Sequence, residues 1–428
     1  MTEALRVAIL AHSHPAIKKG GGEIVAHRSY VHLRQLCDYA SLFAVAPREV
    51  PGSSSLFASD EQIVKYAEAE YLLSGSGYDN FLGTTSDWKT LDCIADICED
   101  AGINVFHFHH FFRLGVNSAS YLRGRFPQAA FVLTLHEYLS VCYMHGQMLK
   151  RNSRLLCERA SPVDCHLCFP EHTKEEFRFR ATLFAQNFRS FDVITSPSEF
   201  LARRHEEAGL TPAIRVVRNG TSGLIISNPE KKALPDVRKK FAFFGQATPF
   251  KGLDIYLNAA VALLEKHGAV ATFAVFGCDV ATIKAMPECR DLVRPLRKWA
   301  SQVHLRGAYD PRTVLDHMQA SGWIVVPSVW WENSPLVIQE AFLAGRPVIC
   351  SGIGGMREAV TDQHDGLHFS PNDWGDLAEK FENCIFEEAL WSRLQQGVRS
   401  PNNVENMNDE FVRIYKEILK GNNNPTMP

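Results

Sequence analysis

Short apolar segments alternate with helix-like segments along this chain, and that alternation is the feature that most restricts its fold. Strands are predicted at 6–11, 105–108, 131–135, 193–196 and 214–217, and the first helix at about 22–37. The strand segments are apolar throughout rather than at every second residue, which indicates strands buried on both faces. The first half of the chain is therefore predicted to form a parallel sheet covered by helices, the doubly wound α/β arrangement.

The same rhythm stops between residues 220 and 238 and then starts again. The interrupting segment collects Gly, Ser, Asn, Pro and Lys, which are typical of turns and linkers. Beyond it, strands are predicted at 241–244, 272–276, 303–305, 324–326 and 348–350, with helices at 253–266 and 336–344. We predict two Rossmann-like domains, 1–220 and 239–405, that face each other across a cleft, and a final helix at 408–420 that packs back on the first domain.

Composition and charge are those of a folded enzyme and exclude some partners. Hydrophobic residues make up 46% and charged residues 22% of the 428 residues, which is ordinary for a globular protein. The 45 basic and 48 acidic residues give a net charge of 45 − 48 = −3, so no overall positive field favours nucleic acid. The apolar segment 7–11 is too short for the core of a signal peptide. We therefore expect a cytoplasmic enzyme with no nucleic-acid partner.

Two glutamates eight residues apart, Glu332 and Glu340, give the strongest chemical signal. They lie within 325–340, a predicted strand, short loop and helix in which Ser334 fits an N-cap and Pro335 a first helical turn. The free backbone N–H groups from Asn333 to Val337 would then form a phosphate-binding helix start. Carboxylates also accept hydrogen bonds well from sugar hydroxyls. The alternative is that Glu332 is a cap acid and Glu340 a solvated surface residue.

A second strand and loop, 241–252, place Lys251 at the start of a predicted helix, six residues after Gly245. A lysine at this position is a suitable counter-charge for a diphosphate. The alternative is an ordinary solvated lysine at a helix end.

The first domain offers a glycine-rich loop and a group of histidines. Gly21 and Gly22 follow the first strand and open a helix, where the backbone can approach an anion closely. The alternative is a plain flexible turn. Histidines occur at or beyond predicted strand ends, at positions 107, 109, 110 and 136. A lone histidine is more often structural than catalytic, and we leave His109 and His110 as candidate acceptor contacts.

Four cysteines form a separate group, with Cys142 and Cys157 upstream of the pair Cys165 and Cys168. Four thiolates could hold one structural zinc in a tetrahedral site. The spacing also fits free buried thiols or a disulfide, and the sequence leaves these three possibilities open.

The segment 325–340 resembles the E-x7-E motif of the retaining family 4 glycosyltransferases, which have the two-domain GT-B fold. The following segments 341–349 and 352–358 are also similar to that family. The resemblance implies that Glu332 faces the hydroxyls of the donor sugar and that Glu340 binds the nucleotide ribose. It implies a leaving-group role for Lys251 and a donor-sugar contact for His136. The family pattern carries arginine where this chain has Gln246, which removes one positive charge from the diphosphate site.

The resemblance implies transfer of a sugar from a nucleotide diphosphate donor to a carbohydrate or lipid-linked hydroxyl, with retention of configuration and no metal or other cofactor for the chemistry. Such a reaction would serve polysaccharide, glycolipid or glycoconjugate synthesis. The alternatives are an inverting transferase or epimerase of the same fold, or a catalytically silent sugar-nucleotide binder. The mixed segment 177–184 could lie on the inner membrane surface, or could be an amphipathic packing helix.

Overall fold

The structure is a computed structural model. It describes residues 4–18, 20–48, 56–58, 61–151, 153–211, 213–221 and 237–422. The chain divides into two compact units. The first unit comprises residues 1–220 and 403–428, and the second comprises residues 221–402.

The described residues form strands and α-helices in alternation through both units. The strands are Arg6–Ala11 (β1), Tyr39–Val45 (β2), Ile63–Ala67 (β3), Glu70–Leu73 (β4), Val105–Phe108 (β5), Ala130–Thr134 (β6), Val193–Ser196 (β7), Arg215–Val216 (β8), Lys240–Phe244 (β9), Thr272–Phe276 (β10), Val303–Leu305 (β11), Trp323–Val326 (β12), Val348–Ser351 (β13) and Gly366–Phe369 (β14). The helices are Gly21–Leu36 (α1), Trp88–Asp100 (α2), Ser118–Arg125 (α3), Pro162–Cys168 (α4), Lys174–Phe188 (α5), Glu199–Glu207 (α6), Leu253–His267 (α7), Val280–Ala285 (α8), Val293–Lys298 (α9), Val314–Gln319 (α10), Leu336–Leu343 (α11), Gly354–Ala359 (α12), Trp374–Phe386 (α13), Glu388–Gly397 (α14) and Val404–Asn422 (α15).

The first unit is built on one sheet with the strand order β3-β4-β2-β1-β5-β6-β7-β8. Every neighbouring pair is parallel except β3 and β4, which are antiparallel. Strand β1 lies at the centre with Val7, Ala8, Ile9 and Leu10 fully buried. The chain order runs outward from β1 to β2 on one side and from β5 to β8 on the other. The order therefore reverses between β1 and β5, where a ligand crevice opens in doubly wound sheets.

The second unit repeats this plan with the order β11-β10-β9-β12-β13-β14, all parallel. Its order reverses between β9 and β12. Apolar residues fill both faces of the sheet, with Phe241 and Phe273 on one side and Ala242 and Ile324 on the other. The predicted pair of doubly wound Rossmann-like sheets is confirmed.

The last helix, α15, belongs to the first unit and packs against α1 and β6. It begins at Val404, four residues before the predicted start and inside the range that the sequence suggested for the second domain. Ser29 donates to the Asn408 side chain over 2.5 Å, and both residues are fully buried. The Tyr415 hydroxyl lies 2.6 Å from His107 Nδ1. These polar contacts fix how the helix lies against α1 and β5.

The segment 177–184 lies within α5 and turns its aromatic side inward. Phe177, Arg180 and Phe184 are buried, whereas Phe179 is exposed. This burial favours the packing interpretation of the segment over the membrane-surface one. Among the described residues, no helix combines the length and the apolar character that crossing a membrane requires.

Candidate functional site

The loops that follow β9 and β12 meet at the point where the strand order of the second unit reverses. These strands are direct neighbours, with Ala242 opposite Ile324. Their carboxyl ends open on the same edge of the sheet, so the loops after them lie side by side. The Val329 N–H donates to the Phe250 carbonyl over 2.9 Å and joins the two loops.

Gly252 allows this close approach and sets the start of α7. Its φ is +68°, and a Cβ at this position would lie 1.9 Å from the Pro327 carbonyl oxygen. No other residue fits without moving the backbone. Lys251 is therefore held directly before the helix, against the loop that carries Glu332.

Glu332 is 5% exposed, and one of its oxygens is crowded with donors. Lys251 Nζ lies 2.5 Å from Oε1. The Ser328 hydroxyl and the Trp330 indole N–H donate to the same oxygen over 2.8 and 3.0 Å. A buried carboxylate needs this kind of compensation. The arrangement fixes the carboxylate and places a cation beside it. Neither Ser328 nor Trp330 was predicted from the sequence as a partner of Glu332.

Two glycines at the start of α12, Gly354 and Gly355, also support the loop that carries Glu332. The Gly355 N–H donates to the Glu332 carbonyl over 2.6 Å. A Cβ on Gly355 would lie 1.5 Å from the Asn333 carbonyl oxygen, and one on Gly354 would lie 2.9 Å from the Glu332 carbonyl oxygen. The start of α12 therefore packs on the backbone that carries Glu332, which gives the glycines after β13 a positioning role.

The start of α11 differs from the prediction by one residue. The helix begins at Leu336, Pro335 takes the N-cap position with φ −66° and ψ 118°, and no side chain caps the helix. The predicted N-cap, Ser334, instead accepts a hydrogen bond from Gln339 Nε2 over 3.2 Å. Proline was expected in the first turn, but its extended ψ excludes it from the helix. Asn333, which precedes this turn, is 5% exposed.

Glu340 lies in α11 and is half-buried. Burial, together with the negative charge of Glu340, raises the pKa of Tyr309 to about 12. Tyr309 packs edge-on against Phe244 and Phe276. Nothing in the sequence connects this tyrosine with Glu340, because the two are brought together only by the fold.

At the start of the loop that leads from β9 to Lys251, Gly245 follows the strand directly and donates its N–H to the Phe276 carbonyl over 3.1 Å. Gln246 comes next and is exposed. Its side chain is therefore accessible at the edge of the sheet that carries Lys251.

In the first unit, the loops after β1, β5 and β6 bring together the predicted glycines and His136. Gly21 is the first residue of α1. A Cβ on Gly22 would lie 3.5 Å both from His136 Cγ and from His12 Cε1. The helix start thus packs directly beside the two imidazole rings.

His12 is a further residue of this cluster that the sequence reading missed. His12 Nε2 lies 3.0 Å from Glu23 Oε1, and both side chains are largely buried. Burial lowers the pKa of His12. Burial is the largest single influence and would raise the pKa of Glu23, but the hydrogen bond and charge of His12, a backbone hydrogen bond and the charge of Lys18 together lower that pKa. The pair is therefore a neutral imidazole that donates to a carboxylate.

The other histidines are buried and neutral. Burial lowers the pKa of His107 and of His136 to about 3, that of His110 to about 4, and that of His109 well below its usual value. His109 Nδ1 lies 3.3 Å from His136 Nε2. His107 bonds Tyr415 and Thr134, which gives it a structural place.

His110 has both ring nitrogens engaged. Its Nδ1 accepts the Phe112 N–H over 2.8 Å, so the proton resides on Nε2. Nε2 then donates to Glu137 Oε1 over 2.8 Å. Burial raises the pKa of Glu137 to about 8. His110 therefore orients Glu137 and has no free nitrogen for an acceptor.

The four cysteines lie in one segment of the first unit without disulfides. Cys142 and Cys157 are buried, and Cys165 and Cys168 are partly exposed. The Arg151 N–H donates to Cys168 Sγ over 3.2 Å. Across the described residues, one group of three metal-type ligands has its atoms within 4.8 Å of one another, namely His14, His27 and Glu70. No three of the four thiols meet that spacing.

That His14 group is satisfied without a metal. His14 Nδ1 accepts the Ala16 N–H over 3.2 Å, so Nε2 carries the proton and donates to Glu70 Oε2 over 2.9 Å. If His14 bound a metal through Nε2, its proton would have to move to Nδ1. That proton would then face the Ala16 N–H, and two donors would oppose each other.

Comparison with known proteins matches the second unit to an established family. Residues 238–386 match the family described as Glycosyl transferases group 1. Two curated relatives are an uncharacterized glycosyltransferase of Methanocaldococcus jannaschii and a D-inositol 3-phosphate glycosyltransferase of Rhodococcus erythropolis. The first is 25% identical over 42% of this chain and 45% of that protein. The second is 28% identical over 44% of this chain and 43% of that protein. The chain spans less than half the length of these relatives.

Solved structures match over nearly the whole chain. HepE of Anabaena, in complex with UDP and glucose, has a TM-score of 0.66 at 15% identity and covers 96% of this chain and 100% of that chain. Sucrose-phosphate synthase of Thermosynechococcus elongatus has a TM-score of 0.65 at 15% identity and covers 97% and 100%. The chain has the GT-B fold. The residues of the second unit that match the group 1 family, 238–386, include both Lys251 and Glu332.

Proposed function

We propose that this GT-B chain is a glycosyltransferase that moves a sugar from a nucleotide diphosphate to a hydroxyl group, with retention of configuration. The observation that carries the proposal is the Lys251–Glu332 pair at the β9/β12 switch point of the group 1 domain. A diphosphate and a sugar need a cation and a carboxylate next to each other, and switch-point loops are where such ligands bind.

In the second unit, Lys251 stabilises the negative charge that builds up on the departing diphosphate. Glu332 accepts hydrogen bonds from the hydroxyls of the donor sugar through Oε2, because the three donors described above occupy Oε1. Gly245 and Gln246 border the diphosphate at the end of β9. The backbone from Asn333 to Leu336 contributes N–H groups beside it.

Glu340 binds the two ribose hydroxyls of the nucleotide. It lies eight residues beyond Glu332 along the chain and just over one turn into α11, so one extended donor can meet both carboxylates. This division gives Glu332 the sugar and Glu340 the nucleoside.

In the first unit, His136 and the backbone at Gly21 and Gly22 contact the reacting end of the donor. The imidazole of His136 is neutral because burial lowers its pKa, so it can donate one hydrogen bond and accept another. The resemblance to family 4 implies that an oxygen of the leaving phosphate takes the proton of the acceptor hydroxyl. The chain then contributes positioning and charge stabilisation, and the chemistry needs no metal.

The donor to test first is a uridine nucleotide sugar, because HepE of Anabaena was solved with UDP and with UDP-glucose. The acceptor class is a carbohydrate or a lipid-linked hydroxyl, as in polysaccharide, glycolipid or glycoconjugate synthesis. D-Inositol 3-phosphate is one acceptor to include, because it is named in the relatives.

The test is a screen of nucleotide sugars by thermal shift, followed by release of nucleoside diphosphate with a panel of acceptors. A bound donor raises the unfolding temperature by mass action. Release that depends on acceptor, with the anomeric configuration kept in the product, supports the proposal. Inversion at the anomeric carbon would contradict retention, and binding without release under any acceptor would indicate a silent binder.

A further inference from the structure

Arg180 is a buried arginine of α5 that forms no ion pair with a carboxylate of the described residues. Arg180 is 3% exposed. Within the described part of the chain, no acidic oxygen lies within the 4.0 Å of an ion pair. Its guanidinium bonds three backbone carbonyls instead: Nε donates to Phe81 over 2.7 Å, Nη1 to Ser140 over 2.9 Å, and Nη2 to Leu139.

The buried positive charge of Arg180 is energetically costly, and the position of the guanidinium indicates which groups it stabilises. Burying a cation without an anion is unfavourable, and burial lowers the pKa of Arg180. Aromatic rings offset part of this cost, with the guanidinium carbon 4.7 Å from the centre of the Phe184 ring. An apolar residue would pack here without the penalty. The particular property of arginine is its rigid fork, which fixes two neighbouring acceptors at once.

The two neighbouring acceptors end the loop that begins with His136. Leu139 and Ser140 follow His136 and Glu137 directly in the chain. Beyond them the backbone turns back, with the Cys142 N–H donating to the Tyr138 carbonyl over 2.7 Å. The fork of Arg180 therefore holds the backbone within three to four residues of His136.

This loop is where a small displacement would matter. A Cβ placed on Gly22 would lie 3.5 Å from His136 Cγ. On the other nitrogen-bearing side of the ring, His109 Nδ1 lies 3.3 Å from His136 Nε2. An imidazole so closely enclosed keeps its orientation only while its backbone stays in place. Released carbonyls at Leu139 and Ser140 would let the loop shift by more than these contacts tolerate.

We propose that Arg180 is a positioning residue for His136: it fixes the 136–140 loop through the Leu139 and Ser140 carbonyls and so sets the angle of the imidazole toward the donor sugar. The inference rests on the proposed glycosyltransferase function. It also gives the segment that contains the four cysteines and α5 a task in the reaction, beyond covering the sheet.

The test is a double-mutant cycle of Arg180→Lys and His136→Ala with the nucleotide sugar that the wild type accepts. Lysine keeps the charge but loses the fork. We expect Arg180→Lys to lower kcat about 10- to 100-fold, as a 1 Å misplacement can. The affinity for UDP, assigned to the second unit, should stay within about twofold of wild type. In the His136→Ala background, Arg180→Lys should cost at most about twofold, because the group that it positions is gone.

A matched control is Arg123→Lys, which also removes a guanidinium that bonds a backbone carbonyl of the first unit, Ser190, and pairs with Asp192. It should leave kcat near wild type. Equal losses from Arg123→Lys and Arg180→Lys, or a full additional loss in the His136→Ala background, would show a general structural role and overturn the inference.

Other outcomes separate the inference from the function on which it rests. No diphosphate release by wild type would count against the proposed function itself. Full activity of His136→Ala would remove the role of His136 and with it the inference. Should Arg180→Lys not fold, Arg180→Gln takes its place in the cycle, and failure of both to fold would mean that Arg180 supports the whole unit, which contradicts a local positioning role.

Discussion

Lys251 Nζ lies 2.5 Å from Glu332 Oε1, so the cation proposed for the diphosphate and the carboxylate proposed for the sugar are ion-paired with each other. Lys251 also stands 5.9 Å from the centre of the Trp330 ring. A diphosphate that binds beside Lys251 must exchange part of these contacts for phosphate oxygens. Glu332 and the donor phosphate are therefore competitors for one ammonium group.

This competition predicts that Glu332→Gln keeps or tightens UDP binding while turnover falls. The neutral amide releases Lys251, and an ion pair with a partly exposed lysine is worth about 1 kcal/mol at most, or roughly a fivefold gain in affinity. Turnover falls because the charge that holds the sugar hydroxyls is lost. Calorimetric titration with UDP and steady-state rates measure the two effects.

The partner variant, Lys251→Gln, should show the reverse balance. It removes a charge-assisted contact to the diphosphate, worth about 1.5–3 kcal/mol, and so weakens UDP about 10- to 150-fold. If Glu332→Gln weakens UDP as much as Lys251→Gln does, the sugar and phosphate roles have been divided wrongly.

Glu340→Ala is expected to weaken UDP binding by about tenfold or more, because a carboxylate between two ribose hydroxyls makes charge-assisted hydrogen bonds of about 1.5–3 kcal/mol each. The affinity for inorganic diphosphate, which has no ribose, should not change. Glu379→Ala, an exposed glutamate of α13, is a suitable control. Equal affinity for UDP in wild type and Glu340→Ala would exclude the ribose role.

The sequence predicted the parts of the second unit that depend on local pattern. Strands β9 and β12 are apolar at nearly every position, and the glutamates are eight residues apart on one motif. Strands β3 and β4 were missed because Lys65 and Glu70 interrupt their apolar pattern near the sheet edge, where one face is exposed. Patterns of burial cannot predict strands that are only partly buried.

Contacts between loops were the other part that could not be predicted. Ser328, Trp330 and Gly355 hold Glu332, yet nothing in their spacing indicates this. The cap at Ser334 was a local prediction, and it failed because its hydroxyl serves Gln339 instead. His12 joins the His136 cluster because the fold places the start of α1 at Gly22 beside both rings.

For the cysteines we predict about one zinc per chain in metal analysis of protein purified without added metal. Helix α4, which carries Cys165 and Cys168, has no buried residue, so this helix is held by little apolar packing and would gain stability from a metal. Binding would have to draw the four sulfurs closer than they lie here. Cys165→Ser should remove the metal and lower the melting temperature, whereas Cys93→Ser in α2 should do neither. Metal-free wild-type protein that is equally stable would leave these residues as thiols.

The buried histidines predict loss of stability in mild acid. Burial lowers the folded-state pKa of His107, His110, His136 and His205 to about 3 or 4, whereas in the unfolded chain it is about 6.5. Because protonation favours the unfolded chain, the stability that they contribute is present above pH 6.5 and is lost as the pH falls from there toward 4. Each histidine contributes up to about 1.4 kcal/mol per pH unit.

His205→Gln isolates one member of this group, since His205 lies in α6, stacks on the Tyr138 ring and hydrogen-bonds only the Leu201 carbonyl among the described residues. The variant should be less stable at neutral pH but show a shallower acid slope, by about one proton. Urea unfolding between pH 7 and about pH 5 gives that slope. An unchanged slope would mean that His205 is already accessible to protons in the folded protein.

The exposed Gln246 predicts that a positive charge can be added to the diphosphate site. Arginine at this position supplies a permanent charge and a forked donor, and contacts of that kind to phosphate are stronger than those of a neutral amide. Gln246→Arg should therefore tighten UDP binding about 10-fold, or raise turnover where the gain is larger in the transition state. Gln246→Leu, which removes the amide without adding charge, is the matched control.

If Gln246→Arg abolishes activity in a folded protein while Gln246→Leu preserves it, the added charge is harmful and the donor at this position is not an ordinary nucleotide diphosphate sugar. If both variants abolish activity, the amide itself contacts the donor, and the glutamine replaces the arginine of the family pattern by a different mode of recognition.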